Sequence, residues 1–102
     1  MHRNIEDVQP KEIHPGVWER ELVGPNDTVH HNLSVKHHIL KKGAEIKFDD
    51  EMSEYQHYII SGCGFWGGMY THSDTTIFVP GNKAHHTIGQ AGETDLHLVT
   101  NI

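Results

Sequence analysis

The segment from Thr75 to Gly89, TTIFVPGNKAHHTIG, constrains the fold of this chain more than any other. Thr75 to Val79 are rich in β-formers and run into a Pro-Gly-Asn turn. Pro80 lacks a backbone donor and so ends a strand, while Gly81 and Asn82 tolerate the positive φ that a sharp corner needs. A second strand then begins at His85. The product is a strand, a corner and a strand, with a potential metal ligand first after the corner. Such a rim is where loops usually carry function.

Other segments repeat the pattern. Val17 to Leu22, VWEREL, alternates with mixed faces and reads as an edge strand. In His30 to Leu40, HHNLSVKHHIL, the apolar Leu33, Val35 and Ile39 share a face with His31 and His37. Strand side chains alternate, so each adjacent histidine pair sends one member inward. That parity predicts His37 inside, with His30 and His38 solvated. Lys41-Lys42-Gly43 makes a turn into AEIKF, and the acidic Asp49-Asp50-Glu51 follows. Glu54 to Gly62, EYQHYIISG, places Tyr55, His57 and Ile59 on one face of a buried strand. Phe65 to Tyr70 has the composition of a glycine hairpin, and Asp95 to Thr100 alternates again. No window carries an uninterrupted helical period. Seven to nine short strands of this kind predict an all-β sandwich or barrel.

At 102 residues the chain fits one domain with a single core. We divide it into an N-terminal arm with an edge strand, 1–29, and a barrel, 30–102. The net charge of −6 with scattered Lys and Arg predicts no nucleic-acid partner. No apolar run approaches a membrane span, no secretory segment follows Met1, and the single Cys63 fits a reducing compartment. The expectation is a cytoplasmic protein with no membrane partner. Cys63 reads as a packing thiol, and Phe65, Trp66 and Tyr70 as packing aromatics.

Two motifs between Gly43 and Gly89 resemble those of the cupin superfamily, small jelly-roll β-barrels. The second cupin motif runs Gly, five residues, Pro-x-Gly, two residues, His, three residues, Asn. Pro80, Asn82 and His85 match its spacing, with Asp74 at the leading glycine and Gly89 at the asparagine. Gly43 and Gly62 bracket the first motif, which ends in YIISG. Its two histidine slots hold Asp49 and Glu51, and its glutamate slot holds Tyr55.

The resemblance implies an all-β, cupin-type jelly roll in a single domain. It places Asp49, Glu51, Tyr55, His57, His85 and His37 on the inner wall near one mouth. Glu51, His57 and His85 would form a two-histidine, one-carboxylate set for a divalent ion such as Fe, Zn, Mn or Ni. His57 stands two residues beyond the usual ligand slot, about 7 Å along a strand. Tyr55 and His57 are the candidate catalytic groups. Three functions stay open: a metal-dependent oxygenase, isomerase or lyase on a small polar metabolite; a metal-free isomerase or cyclase using His and Tyr; and a non-catalytic small-molecule sensor. Small barrels of this family commonly pair through an edge strand. The expected assembly is therefore a homodimer in which Val17 to Leu22 packs on or crosses to the partner.

Overall fold

Alternation of apolar and polar side chains organises the described residues into two facing antiparallel sheets. A computed structural model describes residues 5–24, 34–48, 55–66, 69–79 and 86–101. Within them a short 3-10 turn (Ile5–Asp7) is followed by ten strands. They are β1 (Lys11–His14), β2 (Val17–Val23), β3 (Val35–Leu40), β4 (Glu45–Phe48), β5 (Tyr55–Ser61), β6 (Cys63–Trp66), β7 (Met69–His72), β8 (Thr76–Val79), β9 (His86–Ala91) and β10 (Leu96–Asn101). One sheet runs β1-β2-β3-β10-β5-β8 and the other β4-β9-β6-β7.

The core lies between the sheets. Val17, Leu40, Ile59, Leu96 and Leu98 face Ile46, Phe48 and Ile88 across it, and all are buried. Each apolar residue marks the inward parity of its strand, and the polar residues sharing that parity are carried inside with it.

The bracketing positions of both sequence motifs have left-handed backbones. Gly43 has φ 78°, Gly62 has φ 84°, and Asp74, standing where the second motif has glycine, has φ 67°. Asp is one of the few side chains that tolerates this region, and here its Oδ1 accepts a 2.8 Å hydrogen bond from the Tyr58 hydroxyl. Gly62 is the corner at which the chain leaves the six-stranded sheet for the four-stranded one. A Cβ there would collide with the Asp95 carbonyl.

Two sequence expectations change. β2 is not an edge strand: it pairs with β1 on one side and β3 on the other, and β1 carries the sheet edge. Lys11–His14 escapes a sequence reading because it is short, charged and flanked by Pro10 and Pro15. The arm-to-barrel boundary at residue 29 falls outside the described residues. The second change concerns β3, where His38, not His37, shares the core-facing parity of Leu40. Leu33, Val35 and Ile39 suggested the opposite face, but Val35 and Ile39 are only half-buried whereas Leu40 is fully enclosed.

Candidate active site

Three histidines from three strands reach the interior at one end of the cup. His57 on β5 is completely buried, as the parity of Tyr55 and Ile59 predicts. His86 on β9 shares the inward parity of Ile88 and comes from the opposite sheet. The two Nε2 atoms lie 2.9 Å apart. His38 on β3 stands one strand further along, beyond Thr100 of β10. Thr100 Oγ1 lies 2.9 Å from His57 Nδ1 and 3.3 Å from His38 Nδ1. His38 Nε2 donates to the Glu19 carboxylate at 2.9 Å. A polar chain therefore runs Glu19, His38, Thr100, His57, His86 across the inner wall.

Aromatic rings enclose this chain. Phe48 stacks on His86 at 4.9 Å between centroids, tilts against His57 at 4.7 Å, and meets His38 edge-on at 5.9 Å. Tyr55 stacks on His57 at 5.8 Å and meets His86 at 5.1 Å. Burial, then the neighbouring His86 and His38, pushes the His57 pKa down to about 3, so its ring is neutral at physiological pH. Glu19 is held below the usual carboxylate range, first by its bond to His38 and then by Lys36 at 3.6 Å.

A cavity of about 370 Å³ opens against the same wall, lined by Glu19, Lys36, His38, Phe48, Tyr55 and Thr100 among others. That volume suits one small molecule. Phe48 and Tyr55 stand between the cavity and the His57–His86 pair.

Of the residues singled out from sequence, Tyr55 and His57 lie at this wall. Asp49, Glu51 and His85 lie outside the described residues. The set Glu51, His57 and His85 is thus represented here by His57 alone, and the expected convergence of His57 with His85 likewise falls outside them. His37 faces the other side of the sheet. Its Nδ1 accepts from Arg20 Nη1 at 3.2 Å, its Nε2 lies 3.2 Å from His97 Nδ1, and the two imidazoles stack. Arg20 also donates to the Val8 carbonyl, which ties the N-terminal segment over this cluster. His37 therefore does not line the cavity.

The groups that sequence reasoning passed over are Glu19, His38, His86 and Thr100. Parity would have found three of them: His86 pairs with Ile88, His38 with Leu40 and Glu19 with Val17, each two residues apart. Thr100 resembles any other strand threonine in the sequence.

Comparison with known structures agrees with this architecture. A protein described as a predicted oxalate decarboxylase from Thermotoga maritima superimposes with TM-score 0.82 at 18% identity, over 99% of this chain and 96% of that one. Ectoine synthase from P. lautus gives 0.81 at 15% identity, over 99% and 75%. An RmlC-like cupin from Shewanella frigidimarina gives 0.74 at 19% identity, over 94% and 83%. No protein-family model matches the sequence, and no curated protein is significantly similar to it. The chain has a cupin-type jelly-roll fold.

A divalent ion can be tested against the residues present. Two nitrogens each ~2.0–2.1 Å from one ion are about 3.3 Å apart at the tetrahedral angle and about 2.9 Å apart at a right angle. The His57–His86 spacing has the second value, and neutral imidazole is the form that ligates. Two of the required donors therefore fit. Among the described residues no group of three or more His, Cys, Asp or Glu is placed to hold a metal. No described helix is long and apolar enough to cross a membrane.

Proposed function

We propose that this cupin is an enzyme acting on a small polar metabolite, with a divalent ion held by His57, His86 and a donor from Asp49, Glu51 or His85. The observation that carries the reading is the meeting of two imidazole nitrogens from opposite sheets at 2.9 Å. A general base with a pKa near 3 is ineffective at neutral pH, whereas a buried neutral ring is a ready ligand. The ion would supply Lewis acidity or an oxygen-binding centre, compatible with oxygenase, isomerase or lyase chemistry. The protein's own contribution is positional. Lys36, Glu19 and His38 offer charged and polar partners for a substrate in the cavity, Tyr55 presents a phenol beside both rings, and Phe48 keeps bulk water off the pair. A cytoplasmic location and a homodimer belong to the same proposal, with pairing through the outer edge of β1.

The test is metal analysis of protein purified without chelator, followed by titration with Fe, Zn, Mn and Ni. One equivalent bound by the wild type and lost in both His57→Ala and His86→Ala is expected. Failure of all four ions to bind would overturn the metal. The second reading, a metal-free acid–base enzyme, is favoured by the same His57–His86 contact taken as a plain hydrogen bond beside Tyr55. Turnover undiminished by chelator would establish it. Ligand binding without turnover would instead indicate a sensor.

A further inference from the structure

The inner polar chain has a direction, because its two ends are chemically different. A carboxylate only accepts, so the hydrogen between Glu19 and His38 resides on His38 Nε2. With His38 in its uncharged form the ring carries only that hydrogen, which leaves Nδ1 as an acceptor. Its neighbour at 3.3 Å is the Thr100 hydroxyl, which must then donate. The single hydroxyl hydrogen is used in that bond, so toward His57 Nδ1, at 2.9 Å, Thr100 Oγ1 can only accept. His57 therefore carries its hydrogen on Nδ1, and Nε2 is left as a lone pair directed at His86.

We infer that Glu19, His38 and Thr100 are positioning residues that fix the tautomer of His57, holding its Nε2 lone pair toward the centre of the cup. None of the three touches the His57–His86 contact itself; they act on it through one another. The arrangement resembles the outer hydrogen bonds that orient ligating histidines in metal sites, whose loss typically weakens metal binding 10–100-fold. Here the anchor lies two residues away from the ring it orders. Glu19 is accessible from the cavity mouth, so the ordering begins at a group a substrate can reach.

The inference deepens the metal reading, and only its consequence for affinity rests on that reading. The tautomer belongs to the metal-free protein and is measured there. The experiment is nitrogen-15 NMR of ring-labelled histidines at about pH 8, above the ordinary imidazole range, on metal-free wild type, Thr100→Val and Glu19→Gln. In the wild type His57 should show a protonated Nδ1 and an unprotonated Nε2. Thr100→Val removes the hydroxyl at nearly constant shape and should give a mixture of both tautomers. Glu19→Gln places an amide, which both donates and accepts, at the start of the chain and should also produce a mixture. Its site is half-buried, so the fold survives where Thr100→Val proves too disruptive. A wild-type His57 protonated on Nε2, or a His57 unchanged in the Glu19→Gln protein, overturns the inference. Zinc titration of the same proteins is the separate readout. A 10–100-fold weaker Kd in the variants is expected, whereas a wild type that binds no metal yet shows the Nδ1-protonated ring defeats the metal reading and leaves the relay standing.

Discussion

His37 and His38 are neighbours in sequence and both are buried, yet they belong to two different histidine clusters on opposite faces of one sheet. On the outer face His37 is bonded to the Arg20 guanidinium and stacked on His97 under the N-terminal segment. On the inner face His38 is bonded to a carboxylate and, through Thr100, to His57 and His86. A guanidinium has no acceptor and never loses its charge. The outer cluster can therefore neither take up a proton nor gather around a cation without opposing Arg20. The inner cluster ends in an anion and presents nitrogen lone pairs. Both clusters hold a buried histidine; the charge at the far end decides which cluster is packing and which is a site.

The sharpest way to break this contrast is to remove a ring from each side. His57→Ala or His86→Ala should lower metal affinity by more than ~100-fold, beyond the loss typical of an outer hydrogen bond. His37→Ala should leave it within a factor of two or so, about 0.4 kcal/mol by the usual conversion. Equal losses on both faces, read by zinc titration, would erase the distinction.

Phe48 stands with Tyr55 between the His57–His86 pair and the cavity, and Phe48→Ala should cost about 3–5 kcal/mol in urea denaturation, as a buried phenylalanine does. The same substitution should let a small imidazole-binding dye reach His57, which the wild type excludes.

Both clusters contain a histidine held neutral by burial, and that sets the acid limb of stability. The His37 pKa is lowered to about 4, first by burial and then by His97 and Arg20, and that of His57 to about 3. At pH above the ordinary 6.5 both rings are neutral in the folded and unfolded chains, so the stabilisation is complete. As pH falls below that value the unfolded chain takes up protons that the folded one refuses, and stability drops. The loss from His37 should be complete near pH 4 and that from His57 nearer 3. Glu19, lowered by its bond to His38, acts with the same sign. Thermal melts of His37→Gln should therefore be flatter than wild type between about pH 6.5 and 4, and a parallel curve would remove His37 from the account.

The smallest effect belongs to the ion pairs away from both faces. Lys41–Asp95 at 2.8 Å and Lys42–Glu93 at 2.9 Å are exposed, so Lys42→Ala should change stability by no more than about 1 kcal/mol.

The fold was legible in the sequence because its signals are local. Turn glycines, Asp74 and the alternation of Tyr55, His57 and Ile59 each fix a short piece of chain, and the pieces have one compatible arrangement. The site was legible only where parity was read from a fully buried neighbour. Choosing Val35 and Ile39 to mark the inner face of β3 put His37 inside; Leu40 marks it correctly. Thr100 could not have been found this way. Its role depends on the hydrogen bonds of two rings some forty and sixty residues away along the chain, and nothing local encodes them.

β10 lies in the middle of its sheet, between β3 and β5, and it carries Thr100. It follows β3, β5 and every other described strand in the sequence. While the ribosome is still making earlier segments, β3 and β5 have no common neighbour, and the two halves of the inner wall are not yet joined. Assembly of this sheet therefore waits for a segment translated after all its partners, as expected of a topology dominated by contacts distant in sequence. The strand that joins β3 to β5 is the same one whose Thr100 links their histidines, so its pairing also connects the site.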